Sequence, residues 1–352
     1  MKNLLLFYVL VSITFGFAAC NDDDTNNQVK DYSAILTNTG ENVILRTYES
    51  LATHAASLQA ATQVLEANPS QANLEAARAA WIATRSPWEQ SEGFLFGPVD
   101  QEGIDPSIDS WPVNVTDLNN VLASANALTV SFLAQQEGTL KGFHTIEFLL
   151  WGETGQKTVG EITTREFEYL AAAAGALAAD AQHLYDLWKP SGGNFIANVI
   201  NAGNGSQVYI SQKSALEEIT NALVIIADEV ANGKINDPFS QQDLTLEESR
   251  FSANSKADFA DNIRSIRNIY AGVFDAFGNG ESISDIIRDK NAQADAAVLN
   301  QIDLTIASIE TIPGTFSEAI FANPAAVAVA QQSVRDLQAI LEEQILPIIS
   351  NL

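Results

Sequence analysis

The sequence predicts an all-α fold made of two tandem up-and-down helical bundles joined at a Gly-rich break. Three observations carry this expectation. Apolar residues recur at steps of three, four and seven along most of the chain. Ala stands where a sheet would want clusters of Val, Ile and Thr. Gly and Pro gather at a few points that punctuate the periodic stretches. With 352 residues the chain is long enough for about two domains, each burying its own core.

The N-terminus reads as an export signal. Met1-Lys2-Asn3 supplies one positive charge, and the apolar run from Leu4 to Phe17 is short for a bilayer span. The run ends in Phe17-Ala18-Ala19-Cys20, which resembles the bacterial lipobox, where the signal is cut before a cysteine whose thiol then takes a diacylglycerol. The alternative is an Ala-rich cleavage site followed by an incidental Cys. On the lipobox reading, residues 1–19 are the signal and Cys20, the only cysteine, is a membrane anchor with no redox role. Residues 20–30 form an acidic tether, since Asn21-Asp22-Asp23-Asp24-Thr25-Asn26-Asn27 cannot pack. An acidic run directly after a lipidated Cys resembles the surface-export signal of Bacteroidetes lipoproteins. The expected location is therefore the outer membrane, at the cell surface or on the periplasmic face.

Residues 31–195 are expected to form the first bundle. Ile44, Tyr48, Leu51, Ala55, Leu58 and Leu65 share one stripe of a helix ending near Asn68-Pro69. The next helix starts near Ser70, with the stripe Leu74, Ala77, Trp81, Trp88 and Leu95. It should kink at Pro87, which cannot donate to the carbonyl of Ala83. A loop follows from Gly97 to Asn114. Val115 to Ala134 reads as a third helix and Leu140 to Gly152 as a fourth. Thr163 and Glu166, at capping-box spacing, announce a fifth that runs to Pro190. Ser191-Gly192-Gly193 and Asn201-Ala202-Gly203-Asn204-Gly205 mark the break. Residues 196–352 restart the pattern, with stripes from Leu216 to Val230 and from Phe259 to Val273, then helices about Asn291 to Glu310 and Asn323 to Ile349.

Charge excludes some functions. Asp and Glu number 44 against 18 Lys and Arg, a formal charge of -26, so the counterion-releasing basic stripe that nucleic acid requires is missing. The chemistry must come from carboxylates, hydroxyls and three histidines. On the fourth helix His144 and Glu147 lie one turn apart, and apolar residues surround them. A buried carboxylate needs a proton, an ion pair or a metal. The pair is therefore either a hydrogen-bonded core pair or two ligands converging on a cation. Arg85, Glu89 and Glu92 fall on one side of the second helix, as a solvated ion pair or with Glu92 turned inward toward His144 and Glu147. The acidic loop from Asp100 to Pro112 is either functional or caps its own backbone.

Gly142-Phe143-His144-Thr145-Ile146-Glu147 matches the Gly-x-His-x-x-Glu string of the imelysin family, and Trp88 to Pro98 matches its Trp-x-x-x-Glu and Phe-Gly-Pro elements. Ile104 to Pro112 is similar to the family's Ile-Asp…Asp-x-Trp-Pro loop. Ser249 to Ser255 and Asn262 to Gly272 resemble its later stretches. The family takes its name from an insulin-cleaving membrane protease and includes iron-regulated lipoproteins. The resemblance implies two helical bundles with a site near their interface and a role in periplasmic or surface iron handling, with iron-uptake proteins as partners. The expected metal ligands are His144, Glu147 and Glu92, lined by Arg85, Trp88, Asp105, Asp109 and Gly142. One imidazole among oxygens suits iron, with zinc or calcium as alternatives. A metal-dependent peptidase is a second reading, although zincins need His-Glu-x-x-His and the inverted form a His where Phe148 stands. A polysaccharide- or protein-binding module is a third. His54 and His183 are expected to be packing or surface residues.

Overall fold

The first helix does not run smoothly. In the computed structural model, which describes residues 30–278 and 280–352, α1 (Ser33–Asn38) passes through a π-helical turn, Thr39–Ile44, into α2 (Leu45–Ala67). α3 (Gln71–Glu89) follows, its first turn capped by the Ser70 hydroxyl, which accepts from the Asn73 N–H. The helix stops sooner than its apolar stripe suggests. Pro87 lies in its last turn, and Glu92–Phe94 form a separate 3₁₀ turn instead of carrying the helix on to Leu95. Two short helices, α4 (Pro98–Gln101) and α5 (Ile104–Ile108), occupy the expected loop.

Val115 to Ala134 is not one helix but two, α6 (Val115–Ala123) and α7 (Val130–Ala134). The Ser124 hydroxyl turns back onto the Val121 carbonyl at 2.7 Å and Thr129 caps the Phe132 N–H, so polar side chains between them compete with the helix for its backbone. α8 (Gly142–Trp151) is the motif helix, and α9 (Thr164–Trp188) opens with the expected Thr163/Glu166 capping box. Beyond the Gly-rich break come α10 (Ile196–Ile200) and α11 (Gln212–Asp228), which runs through a π-helical segment, Glu229–Ile235, into α12 (Asn236–Gln241). α13 (Ser255–Ala271) precedes α14 (Ile283–Glu310). α14 bends at Asn291, whose side chain accepts from the Ala294 N–H and so caps the second part. α15 (Phe316–Ala322), α16 (Pro324–Ile340), a π-helical turn and α17 (Leu346–Ile349) complete the chain. No strand forms among the described residues, and no helix there is long and apolar enough to cross a membrane. Cys20, the signal and the tether as far as residue 29 lie outside the described residues.

Tyr32–Leu352 forms one compact unit within which the helices group as two sets. α2 packs against α3 and α9, with α8 between α3 and α9; in the later set α14 packs against α13 and α16, and α11 lies beside both. The sets meet where α3 and the turn after it face α11 and α13. Gly93 is required at that meeting, because a Cβ there would lie 2.7 Å from the Ser265 hydroxyl of α13. α1 crosses over as well, and Asn38 Nδ2 donates to the Gly272 carbonyl at 2.9 Å. The seam buries polar side chains between two apolar interiors, and there the functional candidates collect.

Gly142 fixes one side of this arrangement. Its φ is +73°, and a Cβ on it would lie 2.2 Å from the Ile108 carbonyl oxygen. The loop that carries Asp109 can therefore close on the start of α8 only if residue 142 is glycine. Gly103 has a similar positive φ of +62° with nothing near its missing Cβ. Gly103→Ala should cost only the left-handed penalty of about 1–2 kcal/mol, whereas Gly142→Ala should add a backbone clash and lower the melting temperature further. Thermal melts of the two variants, side by side, test this; equal losses would mean that the close approach at Gly142 is unimportant.

Candidate functional site

Arg85 sits at the centre of the seam with no exposed surface. α3 delivers it, and four carboxylates meet it: Glu89 one turn on, Asp109 at the end of α5, Glu248 at 3.1 Å and Asp258 of α13 at 3.5 Å. Its guanidinium carbon also lies 4.8 Å from the centre of the Phe143 ring. Lys234, from the π-helical segment, reaches the same group from the opposite set of helices. Its ammonium is 2.7 Å from Glu92, 3.0 Å from Glu248 and 3.3 Å from Glu89. Asn262 of α13 donates to Glu89 Oε2 at 2.6 Å and to Glu92 Oε2 at 2.9 Å.

His144 stands between two carboxylates. Its Nδ1 is 3.2 Å from Glu147 Oε2, and its Nε2 is 3.0 Å from Asp109 Oδ1 but without the alignment of a hydrogen bond. Glu147 is held from its far side, where its Oε1 accepts the Ser252 N–H and hydroxyl, each at 2.7 Å. Asp109 is anchored by Trp88, whose indole N–H donates to Oδ2 at 2.6 Å. The Trp111 ring lies 5.7 Å from His144 and 5.6 Å from the Lys234 ammonium, walling the group from solvent. Past it a cleft of about 250 Å³, lined by Glu92, Asp105, Asp109, Trp111 and Glu229, leads in from the surface.

The seam thus joins six carboxylates, of Glu89, Glu92, Asp109, Glu147, Glu248 and Asp258, to three bases, Arg85, Lys234 and His144. Negative charge is in excess, and burial is the first cause of the altered proton affinities. Burial pushes Glu89 and Glu248 up to about 7 in spite of Arg85 and Lys234, and Asp258 up to about 6 in spite of Arg85. Burial, with the charge of Glu89 added, holds Glu92 well above the carboxylate range. In the cleft, burial and the neighbouring Asp109 raise Asp105 to about 7. Asp109 goes the other way: burial alone would raise it, but Arg85 and His144 hold it below its ordinary value. Burial alone would lower His144, yet contact with Asp109 and Glu147 raises it to about 9.

Among the described residues, three groups bring ligand atoms within 4.8 Å of one another: Asp109, His144 and Glu248; Glu89, Glu92 and Asp109; Glu89, Glu248 and Asp258. Glu248 Oε2 and Asp258 Oδ2 are buried without a hydrogen-bond partner, and His144 Nε2 has only its unaligned contact with Asp109, so all three could turn a lone pair to a ligand. Of the expected residues, the structure brings His144, Glu92, Arg85, Trp88 and Asp109 together, with Glu147 behind the imidazole and Asp105 in the cleft. Gly142 acts through its backbone. His54 bonds the Ser50 carbonyl on α2, and His183 pairs with Glu102 on the surface, so His144 is the only histidine of the group. Lys234, Glu248 and Asp258 have no motif that marks them. Glu248 alone stands next to a recognisable stretch, Ser249 to Ser255.

The chain matches the family model described as imelysin, peptidase M75, over residues 44–344. It is 30% identical over 345 residues to the iron-regulated protein A of Synechococcus elongatus, a match covering 95% of this chain and 90% of that one. A crystal structure described as an iron-regulated protein A precursor from Parabacteroides distasonis superposes with a TM-score of 0.81 at 26% identity, covering 91% of this chain and 94% of that one. An imelysin-like protein from Psychrobacter arcticum superposes with a TM-score of 0.71 at 15% identity, covering 89% and 94%, and shares the fold.

The raised proton affinities set a direction for stability in metal-free protein. His144 binds its proton more tightly folded, at about 9, than at its ordinary 6.5, so its contribution is complete below pH 6.5 and disappears as pH rises through 9. Glu89 and Glu248, raised from 4.5 to about 7, act in the same sense at lower pH. The melting temperature of chelator-treated protein should therefore fall between pH 6.5 and 9, and His144→Gln should flatten that fall. A melting temperature that rises over this window would contradict the assigned protonation of His144.

Proposed function

Because the chain belongs to the imelysin family, we propose that it binds a metal ion, iron foremost, at the seam between its two helix sets, as a lipoprotein anchored through Cys20. The observation that carries the reading is the convergence of the buried His144, Asp109 and Glu248, whose ligand atoms lie within 4.8 Å of one another, with His144 Nε2 facing Asp109 without an aligned hydrogen bond. An imidazole whose Nδ1 faces a carboxylate, itself fixed by a backbone N–H, is how proteins set the tautomer and direction of a metal-ligating His. On this reading His144, Asp109 and Glu248 are the ligands and Glu147 orients the imidazole, with Ser252 orienting Glu147. Glu92 belongs to the neighbouring group with Glu89 and Asp109, close enough to supply a further oxygen.

The donor set, one nitrogen among carboxylate oxygens, suits iron or another cation that prefers oxygen. A bound cation would also answer the excess of carboxylates over bases. The acidic cleft at Asp105 and Glu229 offers a path whose field attracts cations. The name of the cyanobacterial relative supports an iron-linked role, and Phe17 to Cys20 supports attachment to the outer membrane, facing the surface or the periplasm. A peptidase role has less support, because one histidine in the group leaves a zinc-protease ligand set short of imidazoles.

Elemental analysis and calorimetry on protein purified without a metal-affinity column test this. Ferrous or ferric ion should bind in a one-to-one ratio, and His144→Ala should abolish binding. Glu147→Gln should weaken it by about 10–100-fold, as expected for a residue that acts through the ligand. Stoichiometric binding that survives His144→Ala would place the metal elsewhere and overturn the assignment.

A further inference from the structure

Lys234 is the one base of the seam that comes from the later set of helices. Its backbone lies in the π-helical segment Glu229–Ile235, where an unbroken helix from α11 to α12 takes in an extra residue. Such segments are uncommon and often accompany functional sites. The side chain is almost fully buried, at 1% exposure, and the ammonium touches Glu89, Glu92 and Glu248. Each of the three candidate ligand groups includes at least one of these carboxylates. The ammonium thus occupies the surroundings that a metal ion would need.

A second location lies within reach. Lys234 also lines a second cleft of about 200 Å³ beside Trp111, together with Glu229, Gly233 and Asp237. There Asp237 offers the ammonium a new carboxylate near water, and Glu229, whose charge already acts on it, a second. Arg85 has no such alternative, since Glu89, Asp109, Glu248 and Asp258 surround it and no surface of it is exposed. The two bases differ in this respect, one fixed and one beside an exit. A single positive charge also leaves the carboxylates in excess, whereas a cation of charge two or three comes closer to balancing them.

Resting on the metal-site reading above, we infer that Lys234 is a displaceable counter-cation. Its ammonium neutralises Glu89, Glu92 and Glu248 in the metal-free protein and turns out to the cleft beside Trp111 when a metal ion takes Glu248, the carboxylate that the ammonium and the metal-ligand group share. Metal affinity is then set by competition with an internal charge, and the metal-free site keeps its carboxylates together.

Calorimetry with ferrous ion under anaerobic conditions, and with manganous ion, compares wild type, Lys234→Met and His144→Ala. Removing the competitor should tighten binding in Lys234→Met by at least about tenfold, within the usual range for coupled sites. In wild type, labelling of the Lys234 amine by an acylating reagent, read by mass spectrometry, should rise several-fold on metal addition. That second measurement stands even if Lys234→Met does not fold. If His144→Ala loses binding while Lys234→Met binds no tighter, or the amine stays equally protected with metal, Lys234 is a fixed structural ion pair and the inference fails alone. If His144→Ala binds as wild type does, the metal-site reading fails and the inference with it.

Discussion

The buried guanidinium of Arg85 is the interaction on which the rest of the site depends. Held on α3 and enclosed by Glu89, Asp109, Glu248 and Asp258, it ties a helix of the first set to a loop and a helix of the second. Taking such charges out of water costs several kcal/mol per ion, roughly, and their attraction offsets that cost only when every partner is in place. The aromatic surroundings of Phe143 and Trp81 leave the guanidinium no water to fall back on. A stable fold alone does not call for this arrangement, since apolar residues at a seam serve as well or better. Its presence points to a function that needs carboxylates held close together.

Charge imbalance connects that structure to chemistry. Arg85, Lys234 and a protonated His144 do not match six carboxylates, and burial, with the carboxylates' mutual repulsion added, makes Glu89, Glu92, Glu248 and Asp258 hold protons more tightly than usual. A cation bound there would release those protons and meet His144 Nε2 where it now faces Asp109, so that binding and protonation would draw on the same atoms. The Trp111 ring lies against this group, and two acidic clefts that it lines give access.

Much of this was legible in the sequence because the signals are local. The fold class follows from helical periodicity, and Thr163 with Glu166 marks the start of α9 as expected. His144 and Glu147 declare themselves because both lie on one short, apolar helix. Boundaries failed where single polar residues decided them, as at Ser124 and Thr129, or where Pro87 ended α3 instead of bending it. The site's other half was hidden for a different reason. Glu147 meets Ser252 across 105 residues, Lys234 meets Glu92 across 142 and Arg85 meets Glu248 across 163, so only the tertiary fold joins them. Lys234 in particular sits in an ordinary amphipathic stretch, and the π-helical turn that aims it leaves no mark in composition.

Anomalous diffraction at the iron edge, from crystals grown with ferrous ion under anaerobic conditions, tests the central claim most directly. A single strong peak bonded to His144 Nε2, with Asp109 and Glu248 as oxygen ligands, is the predicted result. Iron-loaded crystals in which His144, Asp109 and Glu248 keep their present contacts, with no peak among them, would contradict it.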